Sequence, residues 1–251
     1  MPRFYLPPEK CREPTLVLTD QEAHHALHVV RVRRDERVTV VDGVGHEFVC
    51  EAKELARDKV CLTVTEKRES PPPTCRVTLL QALPKGKLME AIIQKATELG
   101  AFRIVPLLSE RVIAKPDNRD ARHKTEKWQS VAIESIKQCG LAWLPKVETP
   151  VTPQQFLARK EKFDVALLAS LQSDARHPRK YFQNFQGDQG RRPESVCVWI
   201  GPEGDFSPAE SEAIKTDGAL PITLGPLVLR TETAAIYCLS ILNYELQAAL
   251  P

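Results

Sequence analysis

The chain has 251 residues, 42% of them hydrophobic and 27% charged, which is enough apolar material for one large domain or two modest ones. Its 35 Lys and Arg stand against 33 Asp and Glu, a formal net charge of +2, so overall charge selects no nucleic-acid partner and any such signal has to be local. Seven cysteines without a C-x-x-C pair read as reduced thiols rather than a zinc site or a disulfide framework. The lack of a run of about 18 apolar residues points to a cytoplasmic protein with no membrane span.

In chain order, Arg37–Val41, Glu47–Cys50 and Lys59–Val64 are short β-rich runs, with Asp42-Gly43 as a turn between the first two. They predict a small all-β barrel of about 70 residues. The stretch Glu-Ser-Pro-Pro-Pro-Thr at 69–74 then stiffens the backbone and denies it ladder bonds, which places a boundary between a domain of residues 1–70 and one of residues 75–251. Beyond it the pattern becomes strand-helix alternation, the signature of a mainly parallel sheet covered on both faces. Strands are expected at Val77–Ala82, Phe102–Leu107, Asp164–Ala169, Val196–Ile200 and Leu220–Leu224. Two helical stripes, Leu88 to Leu99 and Trp128 to Cys139, each stop at a glycine. The polar stretch 171–195 reads as an exposed loop with one short helix.

Two turns stand out. The run Val196–Ile200 stops at Gly201-Pro202-Glu203-Gly204, and Ser207-Pro208-Ala209-Glu210 follows as a capping box. A loop pinned at both ends, bare at two glycines and stiffened by proline suits recognition by main-chain groups. The next strand ends in Gly225-Pro226 and runs through Arg230-Thr231-Glu232 into a long apolar helix, where Thr231 can cap and Glu232 suits the helix dipole. Arg230, beside a positive helix end, is not explained by the dipole and is a candidate for contact with a ligand. In open α/β sheets ligands sit outside the carboxyl ends of the strands, and these turns lie there. No G-x-G-x-x-G, P-loop or G-x-S-x-G is completed, so dinucleotide, ATP and serine-hydrolase readings have no support, and no metal-ligand constellation is seen.

"IGPEGDFSPAE" followed by "LGPLVLRTETAA" resembles the motif pair of the RsmE family, the small-subunit ribosomal RNA uridine-N3 methyltransferases of the SPOUT superfamily. The resemblance extends to "LLQALPKGKLMEAIIQKATELGAFRIVPLLSER", to "SIKQCGLAWLP" and to "HHALHVVRVRRDERVTVVDGVG", and so spans nearly the whole chain. It implies a PUA-like RNA-binding barrel followed by a SPOUT domain with a trefoil knot, and a homodimer. It also implies S-adenosylmethionine held in the knot loops, here Gly201, Pro202, Glu203, Gly204, Leu224, Gly225, Leu229 and Arg230, with the strand end at Leu168–Ser170 as a third segment. The implied partner is small-subunit ribosomal RNA, with Arg3, His25, Arg31, Arg33 and Arg34 as its contacts in the barrel. Arg230 and Glu232 are the catalytic candidates, with Glu203 as an alternative proton acceptor or loop support. A SPOUT methyltransferase acting on another nucleoside, or a scaffold that kept the fold without the reaction, are the competing readings. Asp205, Leu227, Lys137 and Leu141 depart from the family pattern.

Overall fold

The computed structural model describes residues 1–12, 14–112, 118–172 and 174–246. Contacts divide the chain into two units, one of Met1–Pro72 with Ile133–Leu144, the other of Pro73–Ala132 with the residues from Pro145 onward.

In the first unit, β1 (Arg3–Tyr5), β2 (Thr15–Thr19), β3 (Arg37–Val41), β4 (His46–Leu55) and β5 (Lys59–Glu69) form one sheet in the order β1-β3-β4-β5-β2. Only β1 runs parallel to its neighbour. Register shifts between Val49 and Cys50 and between Ala52 and Glu54 strengthen the local twist. The sheet curls around Phe4, Leu16, Leu18, Val38, Val40 and Leu62, all fully buried. The Asp42-Gly43 turn is present, and the Asp42 carboxylate accepts the main-chain N–H groups of Val44 and His46.

Between β2 and β3 the chain forms α1 (Asp20–His24), which runs on as a π-helical turn over His25–Val30. Hydrophobic periodicity does not announce it, because it buries only Ala23 and Ala26. Residues 133–144 belong to the same unit. There the Lys137 side chain is 5% exposed and its ammonium donates to Glu22 and Glu134, each at 2.8 Å. This departure from the family pattern is thus a buried ion pair, a group whose loss leaves a carboxylate without its counter-charge.

The second unit is built on six strands, β6 (Arg76–Ala82), β7 (Arg103–Leu107), β8 (Lys146–Val147), β9 (Val165–Ala169), β10 (Ser195–Ile200) and β11 (Leu220–Ile222). Their order is β11-β9-β10-β6-β7-β8 and the pairings are parallel. Helices α2 (Leu88–Glu98), α3 (Asn118–Cys139), α4 (Pro153–Leu157), α5 (Pro178–Gln189), α6 (Pro208–Thr216) and α7 (Thr231–Leu246) connect or follow them. This is the α/β class implied by the SPOUT resemblance, preceded by a small β domain. Six consecutive residues of β6, Val77–Ala82, are buried, as a strand covered on both faces requires. Burial also pushes the Cys197 and Cys238 thiols up to about 12, which keeps them neutral packing groups.

Two expectations are corrected. The last strand ends at Ile222, and Thr223 and Leu224 already belong to the turn that follows. The stretch expected to be mostly loop holds a helix of 12 residues, α5, started by His177 and ended by Gly190 in the left-handed conformation. Its sequence is mostly polar, with Gln recurring, and only Pro178 and Phe182 are buried, so its apolar stripe is too thin to read. Ser173, in the same stretch, lies outside the described residues.

At the amino end of the sheet, Asp164 ties β9 to β10. Its carboxylate accepts the N–H of Glu194 and of Ser195 and a forked pair of bonds from Arg191. The Arg191 guanidinium and those amides hold the Asp164 carboxyl down at about 2. A carboxyl with a depressed folded-state value adds stability above its unfolded value near 4 and loses it as pH falls toward 2. Asp164→Asn should therefore lower the melting temperature by a few degrees at pH 7. The gap to the unmodified protein should close as pH falls from about 4 to about 2, as followed by circular dichroism.

Candidate functional site

The chain leaves β6 for β7 and β8 on one side and returns through β9 on the other, with β10 later filling the place between β9 and β6. Such a reversal of strand order opens a crevice at the carboxyl edge of a parallel sheet. A cavity of about 570 Å³ lies there, lined by residues 169–172, 200–205 and 223–229 with Thr231 and Ala234. Three strand ends, those of β9, β10 and β11, supply it. β9 separates the two strands whose turns look alike in the sequence.

The first wall is the turn after β10. A Cβ on Gly201 would lie 2.9 Å from Asp205 Oδ1 and 3.1 Å from the Phe206 nitrogen, so no larger residue fits without moving the loop. Asp205 donates its N–H to the Pro202 carbonyl and sits at φ +60. That left-handed conformation favours glycine, the residue without a Cβ. Asp205 compensates by accepting the next N–H, that of Phe206, on its own Oδ1 at 2.8 Å. Beyond it, the Phe206 ring meets Trp199 of β10 edge-on, and the Ser207–Glu210 capping box starts α6 as the sequence predicts.

Distant segments brace this wall. Glu203 accepts the Lys85 N–H at 2.9 Å, and the Arg111 guanidinium donates to the Gly204 carbonyl. Glu210, 1% exposed, also accepts the Ser109 hydroxyl and the Glu110 N–H. The capping-box glutamate thereby fixes the segment that carries Arg111.

The second wall follows β11. Gly225 has φ +106, a conformation that side chains rarely adopt, and its N–H is accepted by Thr223 Oγ1 at 3.2 Å. Leu227 and Val228 are 72% and 77% exposed. Thr231 is not a cap. Its hydroxyl donates to the Gly201 carbonyl at 2.7 Å and accepts from Gln81 Nε2 at 2.9 Å, joining the start of α7 to the first wall and to the end of β6. Gln81 is fully buried. A glutamine between Leu80 and Ala82 in a buried stretch of strand is the signal for it.

Of the cofactor-site residues expected from the sequence, Gly201, Pro202, Glu203, Gly204, Leu224, Gly225 and Leu229 line the cavity, and Arg230 does not. Arg230, just before α7, is exposed and Glu232, in the helix's first turn, is half-buried, and neither side chain has a hydrogen bond or ion pair among the described residues. The sequence reading missed Gln172 and Thr223 in the lining and Lys85, Arg111 and Thr231 as braces. In the first unit, Arg31, Arg33 and Arg34 are exposed and form no ion pair among the described residues. His25 packs edge-on to Phe4 with Nδ1 3.5 Å from Lys137 Nζ. Arg3 lies over Gly140, 3.5 Å from Glu47, so both side chains serve the unit's own packing.

The family model described as an RNA methyltransferase domain matches residues 70–243, and one described as an RNA methyltransferase PUA domain matches residues 18–65. The chain is 34% identical to "Ribosomal RNA small subunit methyltransferase E" of Bacillus subtilis, with 92% of this chain and 91% of that protein covered. It is similar to the structure of the protein of the same name from Neisseria gonorrhoeae bound to S-adenosyl methionine. That match has a TM-score of 0.83 and 28% identity over 97% of each chain. A Legionella pneumophila protein crystallised with bound SAM aligns with a TM-score of 0.87 and 32% identity over 96% of each chain.

Thr231→Val removes two hydrogen bonds and leaves the Gly201 carbonyl and the Gln81 amide each short of a partner. It should destabilise the fold by about 1–3 kcal/mol in urea unfolding. At position 205, Asp205→Ala should lose about 1 kcal/mol in the same measurement, while Asp205→Gly stays close to the unmodified protein, since glycine accepts the left-handed conformation without help.

Proposed function

The chain belongs to the ribosomal RNA small subunit methyltransferase E family, and from that premise we propose that it methylates N3 of a uridine in small-subunit ribosomal RNA with S-adenosylmethionine as donor. The observation that carries the reading is the backbone-lined cavity at the ends of β9, β10 and β11. Its volume is that of a small-molecule site, and its lining fits the donor by chemistry. Leu224, Leu229 and Ala234 offer apolar contact to an adenine ring, while main-chain groups of 201–204 and the Ser170, Gln172 and Thr223 side chains offer hydrogen bonds to ribose and amino-acid groups.

S-adenosylmethionine supplies an electrophilic methyl group on a sulfonium whose leaving group is a neutral thioether. The walls therefore have little acid chemistry to perform, and their contribution is to hold the reacting groups in line. Uracil N3 bears a proton and must lose it for attack, with negative charge spreading onto O2 and O4. Arg230 provides a guanidinium that no carboxylate of the described residues neutralises, next to the positive end of α7, and it stabilises that charge. Glu232, two residues on, accepts the proton. Glu203 is already engaged by the Lys85 N–H and serves as a loop support.

The exposed Arg31, Arg33 and Arg34 hold flanking RNA, while Arg3 and His25 of the same unit are engaged in its packing. Unpaired nucleotides expose their base edges, so the target is a splayed-out uridine. The protein works as a homodimer in the cytoplasm. Exposed Tyr237 and Tyr244 on α7, with Leu227 and Val228, supply an apolar face suited to a second copy. No helix among the described residues is long and apolar enough to cross a membrane.

Arg230→Ala should lower single-turnover methyl transfer by about 100-fold, the usual scale for losing one charge-stabilising donor, while calorimetry gives unchanged S-adenosylmethionine affinity. Full activity would remove Arg230 from the mechanism. The position is checked by primer extension on ribosomal RNA from a deletion strain and its complemented counterpart. A methyl on N3 blocks Watson–Crick pairing and stops the polymerase at one uridine, and the stop should vanish with the gene.

A further inference from the structure

The cofactor wall has a second side. Because β6, β7 and β10 are parallel neighbours, the loops after β6 and β7 rise from the same carboxyl edge as the turn after β10, on the flank away from β9 and β11. These loops carry Lys85, Lys87 and Arg111, all exposed. The contacts already described place two of them against the wall. The Lys85 main chain is bonded to the Glu203 carboxylate, the Arg111 guanidinium to the Gly204 carbonyl, and Arg111 Cδ would stand 3.6 Å from a Cβ at Gly204.

Most charges along this rim are sorted. Glu203 is taken up by the Lys85 N–H and Asp205 by the Phe206 N–H, and the buried Glu210 holds Ser109 and Glu110. The Glu110 carboxylate, next to Arg111, stays exposed, one negative charge against the three cations. Elsewhere in the same unit Arg103, Arg159, Arg179, Arg191 and Lys215 each reach a carboxylate. Lys85, Lys87 and Arg111 form no ion pair among the described residues. Lys85 keeps its whole ammonium free, since its bond to Glu203 uses the backbone. Arg111 spends one nitrogen on Gly204 and keeps the rest of its fork, which matches phosphate oxygens. Glu210 pins the backbone beneath it.

We propose that Lys85, Lys87 and Arg111 form a phosphate-binding rim on the catalytic unit itself, which grips the backbone of the single-stranded RNA entering the cofactor slot. The inference rests on the RNA-methyltransferase reading and adds a contact surface separate from the arginines of the first unit. An acceptor base can reach the slot only if its own and neighbouring phosphates pass over the slot's edge. Cations there position the strand without reading its sequence. Arg111 does so while bracing the wall, so strand binding and slot shape meet in one side chain.

The test is the salt dependence of binding of full-length protein to transcribed small-subunit ribosomal RNA, by filter retention across a potassium chloride series. Each lost phosphate contact flattens the slope of log Kd against log salt by about 0.7 for a single strand. Lys85→Gln should show that change, and Lys85→Gln with Arg111→Gln roughly twice it. S-adenosylmethionine affinity by calorimetry should stay unchanged in Lys85→Gln, whose loop contact is main-chain only. Lys215→Gln, which removes a paired surface lysine, should leave the slope as it was. An unchanged slope in both Lys85→Gln and the double variant overturns the proposal, as does a loss in Lys85→Gln confined to cofactor affinity, which would assign the cation to the donor. Methyl transfer by the unmodified protein, measured in parallel with labelled donor, keeps the two readings apart. RNA bound with the predicted slopes but never methylated would sink the reaction and leave the rim standing.

Discussion

One hydroxyl group holds the candidate site together. Thr231 Oγ1 takes a hydrogen from the Gln81 amide and gives its own to the Gly201 carbonyl, so the end of β6, the turn after β10 and the start of α7 meet at a single oxygen. The three segments lie 30 to 150 residues apart in the chain. A loop that presents its backbone to a ligand cannot also satisfy that backbone within a helix or a ladder, and its unmade bonds must be met from elsewhere. Here they are met by buried side chains, where a hydrogen bond is strong and an unpaired group is expensive. The slot keeps its shape because relaxing it would break both connections at once.

The same economy governs the charges. Glutamates of the turn region are occupied by neighbouring donors: Glu203 by the Lys85 amide, and the buried Glu210 by the Ser207 and Glu110 amides and the Ser109 hydroxyl. Cations on the rim are left facing solvent. The result is an edge of local positive character on a chain whose net charge is close to zero, which suits a partner whose backbone is uniformly anionic. In the first unit the separation is repeated. Lys137 and Arg3 are drawn into packing against Glu22, Glu134 and Glu47, and Arg31, Arg33 and Arg34 remain exposed.

Asp205 shows how a departure from a family pattern can leave a shape intact. The position needs a left-handed backbone, and the usual answer is a residue without a Cβ. This chain uses a carboxylate that accepts the following N–H, an interaction available to Asp and not to most other residues.

Sequence alone determined the elements whose signals are local. The strand Val196–Ile200 is a continuous apolar run and Val77–Ala82 a mostly apolar one, the Ser207–Glu210 capping box is a four-residue pattern, and the glycines of both turns mark where a backbone must bend or approach closely. Those features depend on residues near one another in the chain, and so they can be read there. Tertiary structure decided the rest: that β9 lies between the two Gly-Pro strands, that Thr231 bridges rather than caps, that Arg230 stands outside the cavity, and that Lys85 and Arg111 flank the wall. Each of these joins segments tens of residues or more apart, or depends on which way one side chain turns at a crowded sheet edge. Local propensity carries no information about either, because the deciding energy is the satisfaction of buried polar groups by partners that only the folded chain brings within reach.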